Sequence, residues 1–278
     1  MNFDVGGEQV YAYTGSRAFD ASLPTIVFVH GAAGDHSVWA LQSRYFAHHG
    51  HNVLALDLPG HGRSGGSARR SVPALADWLV TVLDALGIER AVLAGHSLGS
   101  LVVLDVAGRH PQRTSHLALL ATSVPMRVSD ALLSAAASDE AFAYAMITQW
   151  SFSDAHQLGG NQQPGMWMIG TGLRLMERCS PGVLHADLSA CNEYGDGLDR
   201  AASLSLPALL ILGERDQMAP LRNARALASA LRHVCEVHLP GCGHSLMTEA
   251  PDAVLDALRD FLAAEHVAAA PKVAARAR

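Results

Sequence analysis

Apolar positions along this chain fall into two patterns that take turns, and the turn-taking predicts the fold class. Thr25–Val29 is a continuous β-branched and aromatic run, the signature of a strand covered on both faces. Shorter runs of the same kind occupy Asn52–Leu56, Arg90–Ala94, His116–Leu120 and Pro207–Gly213, and Cys235–Leu239 alternates like a last strand. Between them lie segments with helical spacing. Pro73–Leu86 is one, with Gly87 as its stop; Leu98–His110 is another, with Leu98, Leu101, Val102 and Val106 on one face. Glu8–Tyr13 and the stretch around Arg17–Ala21 read as antiparallel edge material. Strands and helices in alternation predict an α/β fold: a mostly parallel central sheet flanked by helices, with right-handed crossovers.

The alternation stops after Leu120. From Ser123 to Ser205 the chain offers helical stretches (Asp130–Trp150, Met166–Cys179, Pro181–Glu193) and a Gly159–Gly165 loop rich in glycine and glutamine, with no buried strand. The expected organisation is therefore a core of residues 1–122 and 206–266, interrupted by a helical insertion over 123–205. The tail, 267–278, is Ala-rich and basic without a repeating apolar face, and is expected to be flexible.

Composition narrows the class of protein. A chain of 278 residues with 49% hydrophobic content can bury a full core. The net charge of −6 argues against a nucleic-acid or anionic-membrane binder. No run of about 18 apolar residues is present to span a membrane, and the polar, acidic start Met1–Glu8 lacks the pattern of a secretory signal. Cys179, Cys191, Cys235 and Cys242 show no C-x-x-C spacing, which suits reduced thiols in a cytoplasmic protein.

Candidate chemistry gathers where strands end. Gly95-His96-Ser97-Leu98-Gly99 joins a predicted strand to a predicted helix, so the glycines permit a sharp bend that exposes the Ser97 hydroxyl. The Leu98 N–H, at the start of the helix, faces any negative charge forming there. A serine needs a base to take its proton, and two further strand ends supply partners. Glu214-Arg215-Asp216 follows Pro207–Gly213, and Pro240-Gly241-Cys242-Gly243-His244 follows Cys235–Leu239. Ligand chemistry in open α/β sheets collects at such carboxyl ends. Other suggestive residues have simpler readings. The His48-His49-Gly50-His51 cluster reads as a solvated helix end and not a metal site, because adjacent helical histidines diverge and no carboxylate accompanies them. Cys242 reads as small-residue packing.

Four motifs together resemble the α/β-hydrolases of the capped kind: His30-Gly31-Ala32, Asp57-Leu58-Pro59-Gly60-His61-Gly62-Arg63-Ser64, the elbow at Gly95–Gly99, and Gly213–Asp216 paired with Gly241–His244. The order serine, acid, histidine is that family's order. The resemblance implies Ser97 as nucleophile, His244 as base and Asp216, ahead of Glu214, as acid. It implies Ala32 N–H as a second oxyanion donor beside Leu98 N–H, structural roles for His30, His61 and His96, and the 123–205 insertion as a lid. Within that lid Met146, Trp150, Met166, Trp167, Met168 and Met176 are candidates for an apolar pocket wall or for internal packing. Relatives that act as dehalogenases or epoxide hydrolases place an aspartate at the elbow, which Ser97 replaces here. The expected activity is hydrolysis of a carboxylic ester, lactone or thioester of a small-molecule substrate, without metal or organic cofactor. Two alternatives stay open: cleavage of a C–C bond next to a carbonyl with the same triad, and a non-catalytic ligand receptor. Relatives that cleave C–C bonds often follow the elbow serine with Met-Gly-Gly; this chain has Leu98-Gly99-Ser100, which disfavours that reading.

Overall fold

The computed structural model of the chain describes residues 1–160 and 165–264, together with the backbone of 274–276. It opens with a hairpin, β1 (Asn2–Val5) and β2 (Glu8–Tyr13), turned by Gly6 and Gly7, both at positive φ. β3 (Thr25–Val29), α1 (Ala40–Ala47), β4 (Asn52–Leu56), α2 (Val72–Ala85), β5 (Ala91–His96), α3 (Leu98–Arg109) and β6 (Thr114–Leu120) follow. Among the described residues, six helices come next: α4 (Asp130–Ser138), α5 (Glu140–Ser151), α6 (Asp154–Gln157), α7 (Met168–Met176), α8 (Val183–Glu193) and α9 (Gly197–Ser203). The alternation then resumes with β7 (Ala208–Gly213), α10 (Leu221–Ala230), β8 (Val234–Leu239), α11 (Leu246–Glu249) and α12 (Pro251–Ala263).

The strands form one sheet in the order β1-β2-β4-β3-β5-β6-β7-β8, with a short strand at 274–276 (β9) beside β8. β1 and β2 pair antiparallel and all other neighbours are parallel, except that β2 meets β4 antiparallel. The expected sheet is therefore present. β3, β4 and β7 are buried along their whole length, as their continuous apolar runs require. Alternate side chains serve opposite faces: Val27 and Val29 join the core under α2 and α3, while Ile26 and Phe28 join the one under α1 and α12. A separate apolar cluster lies within the six-helix block, built from Leu132, Tyr144, Ile147, Met176, Leu184 and Leu188.

Two expectations need amendment. Arg17–Ala21 forms no strand. Asp20 there folds into a local turn, its Oδ1 accepting the Ser22 N–H at 2.9 Å, and Asn52 Oδ1 accepts the Asp20 N–H at 2.8 Å. The expected single helix over 130–150 is broken at Asp139, whose carboxylate accepts the Phe142 N–H (3.1 Å) and caps α5. The expected flexible tail lies mainly outside the described residues; 274–276 pair with β8.

The topology fixes where a ligand can sit. From β3 the chain moves outward to β4, then crosses back over β3 to pair β5 on its other side. A crevice opens outside the carboxyl ends of strands at such a reversal. The segment after β3 carries Ala32 and the segment after β5 carries Ser97.

Candidate active site

Ser97 is held in a conformation that few residues adopt. Its φ of 51° and ψ of −118° place it in a region that costs about 1–3 kcal/mol, which persists only where surroundings over-determine it. They do so here. The Ser97 N–H donates to Leu120 O (3.0 Å), and Ser97 O accepts from the Ser100 N–H (2.9 Å) and the Ser100 hydroxyl (2.5 Å). The two flanking glycines let the backbones pass. A Cβ on Gly95 would lie 2.2 Å from Gly99 O, and one on Gly99 would lie 2.3 Å from Val29 O. Any side chain at either position would drive backbone into backbone.

The two partners come from the segments after β7 and β8, and His244 opens into the same cavity as Ser97 while Asp216 sits behind it. His244 Nδ1 lies 2.8 Å from Asp216 Oδ2, and both residues are buried. The other oxygen of Asp216 accepts the N–H groups of Met218 (2.8 Å) and Ala219 (2.7 Å), which fixes the carboxylate. Burial alone would raise the Asp216 pKa, but the His244 ring and these three hydrogen bonds hold it below the ordinary carboxylate value. Glu214, its sequence rival, is exposed. Ser97, His244, Ala32 and Gly31 all line one cavity of about 570 Å³. A Cβ on Gly31 would come within 3.1 Å of Ser97 Cβ, so the loop after β3 passes directly against the serine. Leu98 is the first residue of α3, where an α-helix leaves its N–H groups without intrahelical partners.

The accessory histidines brace loops, as the sequence suggested. Leu58 N–H donates to His30 Nε2 (3.1 Å), so the ring proton sits on Nδ1, which donates to Gly31 O (2.8 Å). Burial, with the neighbouring His61, drives the His30 pKa down to about 4. His96 Nε2 donates to His244 O (2.9 Å) and links the elbow to the histidine loop; burial and His244 depress its pKa to about 3. His49 stacks on Tyr45 with ring centroids 3.9 Å apart, a local helix-end contact. Burial pushes the Cys242 thiol up to about 12, which makes it inert as a nucleophile. Asp35, His36 and Asp57 bring ligand atoms within 4.8 Å of one another. Asp57 Oδ1 accepts from His36 N and Nδ1 (2.7 Å each) and Oδ2 from the Arg63 N–H (2.8 Å), so this group serves as a loop brace.

Two buried carboxylates at the site escaped the sequence reading. Glu249 on α11 accepts the Gly243 N–H at 3.0 Å, the Ser153 N–H at 3.1 Å and the His156 ring at 2.8 Å. It thereby clamps the residue before His244 to the helical insertion, whose Ser151 O accepts the His244 N–H (2.8 Å). Asp187 on α8 contacts Ala33 and His61.

The insertion supplies much of the cavity wall. Trp150, Met166, Met168 and Met176 line it, whereas Met146 packs against the helical block's own cluster and Trp167 is 70% exposed and lies over Gly170. Six of the chain's eight methionines face the cavity: Met126, Met166, Met168, Met176, Met218 and Met247. Among the described residues its lining contains no carboxylate, and Arg127 is its one lysine or arginine.

Fold and site define an enzyme of the serine-hydrolase kind, with the serine on a strand-to-helix elbow. The chain belongs to the α/β-hydrolase fold family, whose model matches residues 24–251. It is 30% identical over 243 residues to the dihydrolipoyllysine-residue acetyltransferase component of the acetoin cleaving system of Pseudomonas putida, covering 85% of this chain but only 63% of that protein. It is also 30% identical over 245 residues to a pimeloyl-(acyl-carrier protein) methyl ester esterase of Aromatoleum aromaticum, covering 82% of this chain and 94% of that one. Among solved structures, an enol-lactonase from Burkholderia xenovorans superposes with a TM-score of 0.82 at 24% identity, covering 94% and 99% of the two chains. Among the described residues no helix is long and apolar enough to cross a membrane.

Proposed function

We propose that this protein hydrolyses carboxylic esters, lactones or thioesters carrying an uncharged apolar acyl group, through an acyl-enzyme on Ser97. The observation that carries the reading is the strained Ser97 opening into the same cavity as a His244 whose Nδ1 is held by a buried, hydrogen-bonded Asp216. With Nδ1–H committed to Asp216, the other ring nitrogen, Nε2, takes the Ser97 proton and later returns it to the leaving group. Ser97 Oγ bonds to the carbonyl carbon, and the resulting oxyanion draws on the N–H groups of Ala32 and Leu98. The intermediate collapses, breaking the bond to the alcohol or thiol, which leaves with the returned proton. Water deprotonated by the same imidazole then adds to the acyl-enzyme, the Ser97 Oγ–acyl bond breaks, Oγ regains a proton from the imidazolium and the acid is released.

The cavity supports the substrate class. A wall of methionine thioethers and aliphatic or aromatic side chains solvates an apolar acyl group and gives a carboxylate no counter-ion except Arg127. Residues 123–205 act as the cap over this pocket and carry the acyl selectivity, while 1–122 and 206–266 form the catalytic core. A cytoplasmic setting belongs to the same reading, supported by four free thiols. No metal or organic cofactor enters any step.

The test is a panel of p-nitrophenyl esters from acetate to decanoate, run beside a vinylogous 1,5-diketone, with wild type and Ser97→Ala. Ester turnover that Ser97→Ala abolishes supports the reading. Cleavage of the diketone without ester turnover would assign C–C hydrolysis instead, and saturable ligand binding without any turnover would assign a receptor.

A further inference from the structure

We propose that Asp187, on α8 of the helical insertion, is a positioning residue for the oxyanion-binding loop 31–35, so that the insertion holds part of the catalytic centre as well as covering it. The inference rests on the serine-hydrolase reading above.

Asp187 is 1% exposed, and one of its oxygens, Oδ2, does two jobs: it accepts the Ala33 N–H at 2.9 Å and meets His61 Nε2 at 2.8 Å. The opposite ring nitrogen of His61 faces Pro59 O at 3.0 Å. Both ring nitrogens therefore have acceptors, the arrangement of an imidazolium that donates twice. Burial opposes that charge, but Asp187 outweighs it and the His61 pKa is raised. A backbone N–H that donates to a carboxylate oxygen, as Ala33 does to Asp187 Oδ2, makes a bond of the stronger, charge-assisted kind.

Ala33 needs such a bond. It is fully buried with φ +49°, a left-handed conformation that alanine rarely adopts. Its neighbour Ala32 carries the N–H assigned to the oxyanion, so the geometry at Ala33 sets where that donor points. An oxyanion donor must sit about 2.7–3.1 Å from the developing charge, and small rotations of the loop would spoil it. The loop's own turn is closed by Gly34 N–H to Gly31 O (3.1 Å). Among the described residues, the insertion's polar contacts to residues 33–35 come from one short stretch of it, 178–187. Asp187 takes the Ala33 N–H, the Cys179 thiol lies 3.4 Å from Ala33 O, and Arg178 Nη1 lies 3.5 Å from Asp35 Oδ2. The simpler alternative is that Asp187 merely fastens the insertion to the core; that role would alter stability and substrate affinity rather than turnover.

The experiment uses the full chain, the best ester of the panel, and Asp187→Ala, Asp187→Asn and Asp187→Glu. Removing an oxyanion donor outright costs about 10²–10³ in kcat. A displaced donor should cost somewhat less, so Asp187→Ala should lower kcat by roughly 30- to 100-fold with KM within about threefold. Asp187→Asn keeps an oxygen for the Ala33 N–H and should return kcat to within about tenfold of wild type. Asp187→Glu keeps the charge but overreaches by one methylene and should not. A folded Asp187→Ala with kcat within threefold of wild type overturns the proposal. So does better recovery with Glu than with Asn, which would make the charge on His61 the point and not the Ala33 contact. If Asp187→Ala fails to fold, the Asn–Glu order decides alone. If wild type hydrolyses no ester, the ester reading fails by itself, and the rate of Ser97 phosphonylation by a fluorophosphonate gives the same comparison.

Discussion

Asp216→Asn separates the roles of the two oxygens of one carboxylate. In the wild type Oδ1 faces two N–H donors, from Met218 and Ala219, and Oδ2 faces His244 Nδ1. An asparagine must put its carbonyl toward the two N–H groups, because its NH₂ there would meet donors with donors. The NH₂ then points at His244 Nδ1, which can accept it only when unprotonated. The ring proton moves to Nε2, and the nitrogen that should take the Ser97 proton no longer has a lone pair to take it with. Geometry is preserved while the base is disabled, so kcat should fall by about 10³–10⁴, equivalent to roughly 4–5.5 kcal/mol of lost transition-state stabilisation. Stability should change little, because both backbone bonds survive and only the charge-assisted bond to His244 weakens. A loss of about 1–2 kcal/mol is expected. The assay is steady-state hydrolysis of the best p-nitrophenyl ester at pH 7.5, with urea denaturation of the same samples. Glu214→Gln, on an exposed side chain, is the control and should stay within about threefold of wild type. Retention of more than a tenth of wild-type kcat by Asp216→Asn would refute the reasoning, and a collapse of Glu214→Gln instead would transfer the acid role.

Two more predictions concern the wall and the core. Met168→Ala opens the cavity wall and should shift the preferred acyl length, changing kcat/KM by about tenfold for some esters, whereas Trp167→Ala, outside the lining, should leave the chain-length profile unchanged. Matched ester series on both variants check this, and identical profiles for Met168→Ala and wild type would remove Met168 from the wall. His30 and His96, with folded pKa values of about 4 and 3 against about 6.5 unfolded, stay neutral in the fold while the unfolded chain takes up protons. Their contribution to stability is complete above pH 6.5 and is lost as pH falls toward those values, at up to about 2.7 kcal/mol per pH unit for the pair. Urea denaturation at pH 5 and 6 should show this slope about halved in His96→Asn; an unchanged slope would mean that His96 ionises freely within the fold.

What the sequence disclosed follows from how locally each feature is encoded. Ser97, Asp216 and His244 stand within a few residues of a strand's end, each marked by glycine, so an apolar run and its turn were enough to place them at one edge of the sheet. Asp187 and Glu249 carry no such mark. Their partners Ala33 and Ser153 are 154 and 96 residues away in the chain, and a carboxylate on a helix ordinarily signals a solvated face. A signal was available for two other features. Gly6-Gly7 between short alternating segments is a hairpin turn that would have revealed β1, and Asp139 before Glu140 is a helix cap that would have divided the 130–150 run. Trp167 and Met168 were equivalent in sequence, both large and apolar beside a loop. Only the direction of the helix that starts at Met168 separates the exposed ring from the cavity wall.

The central claim is that one hydroxyl carries the covalent step, and the most direct test is intact-protein and peptide mass spectrometry after exposure to an alkyl fluorophosphonate. A single adduct should form, map to Ser97, and coincide stoichiometrically with loss of ester hydrolysis. Ser97→Ala should remain folded, take up no label and lose several orders of magnitude in kcat. Labelling at another residue that tracks the loss of activity, or a Ser97→Ala protein that keeps more than about a tenth of wild-type kcat, would contradict the account.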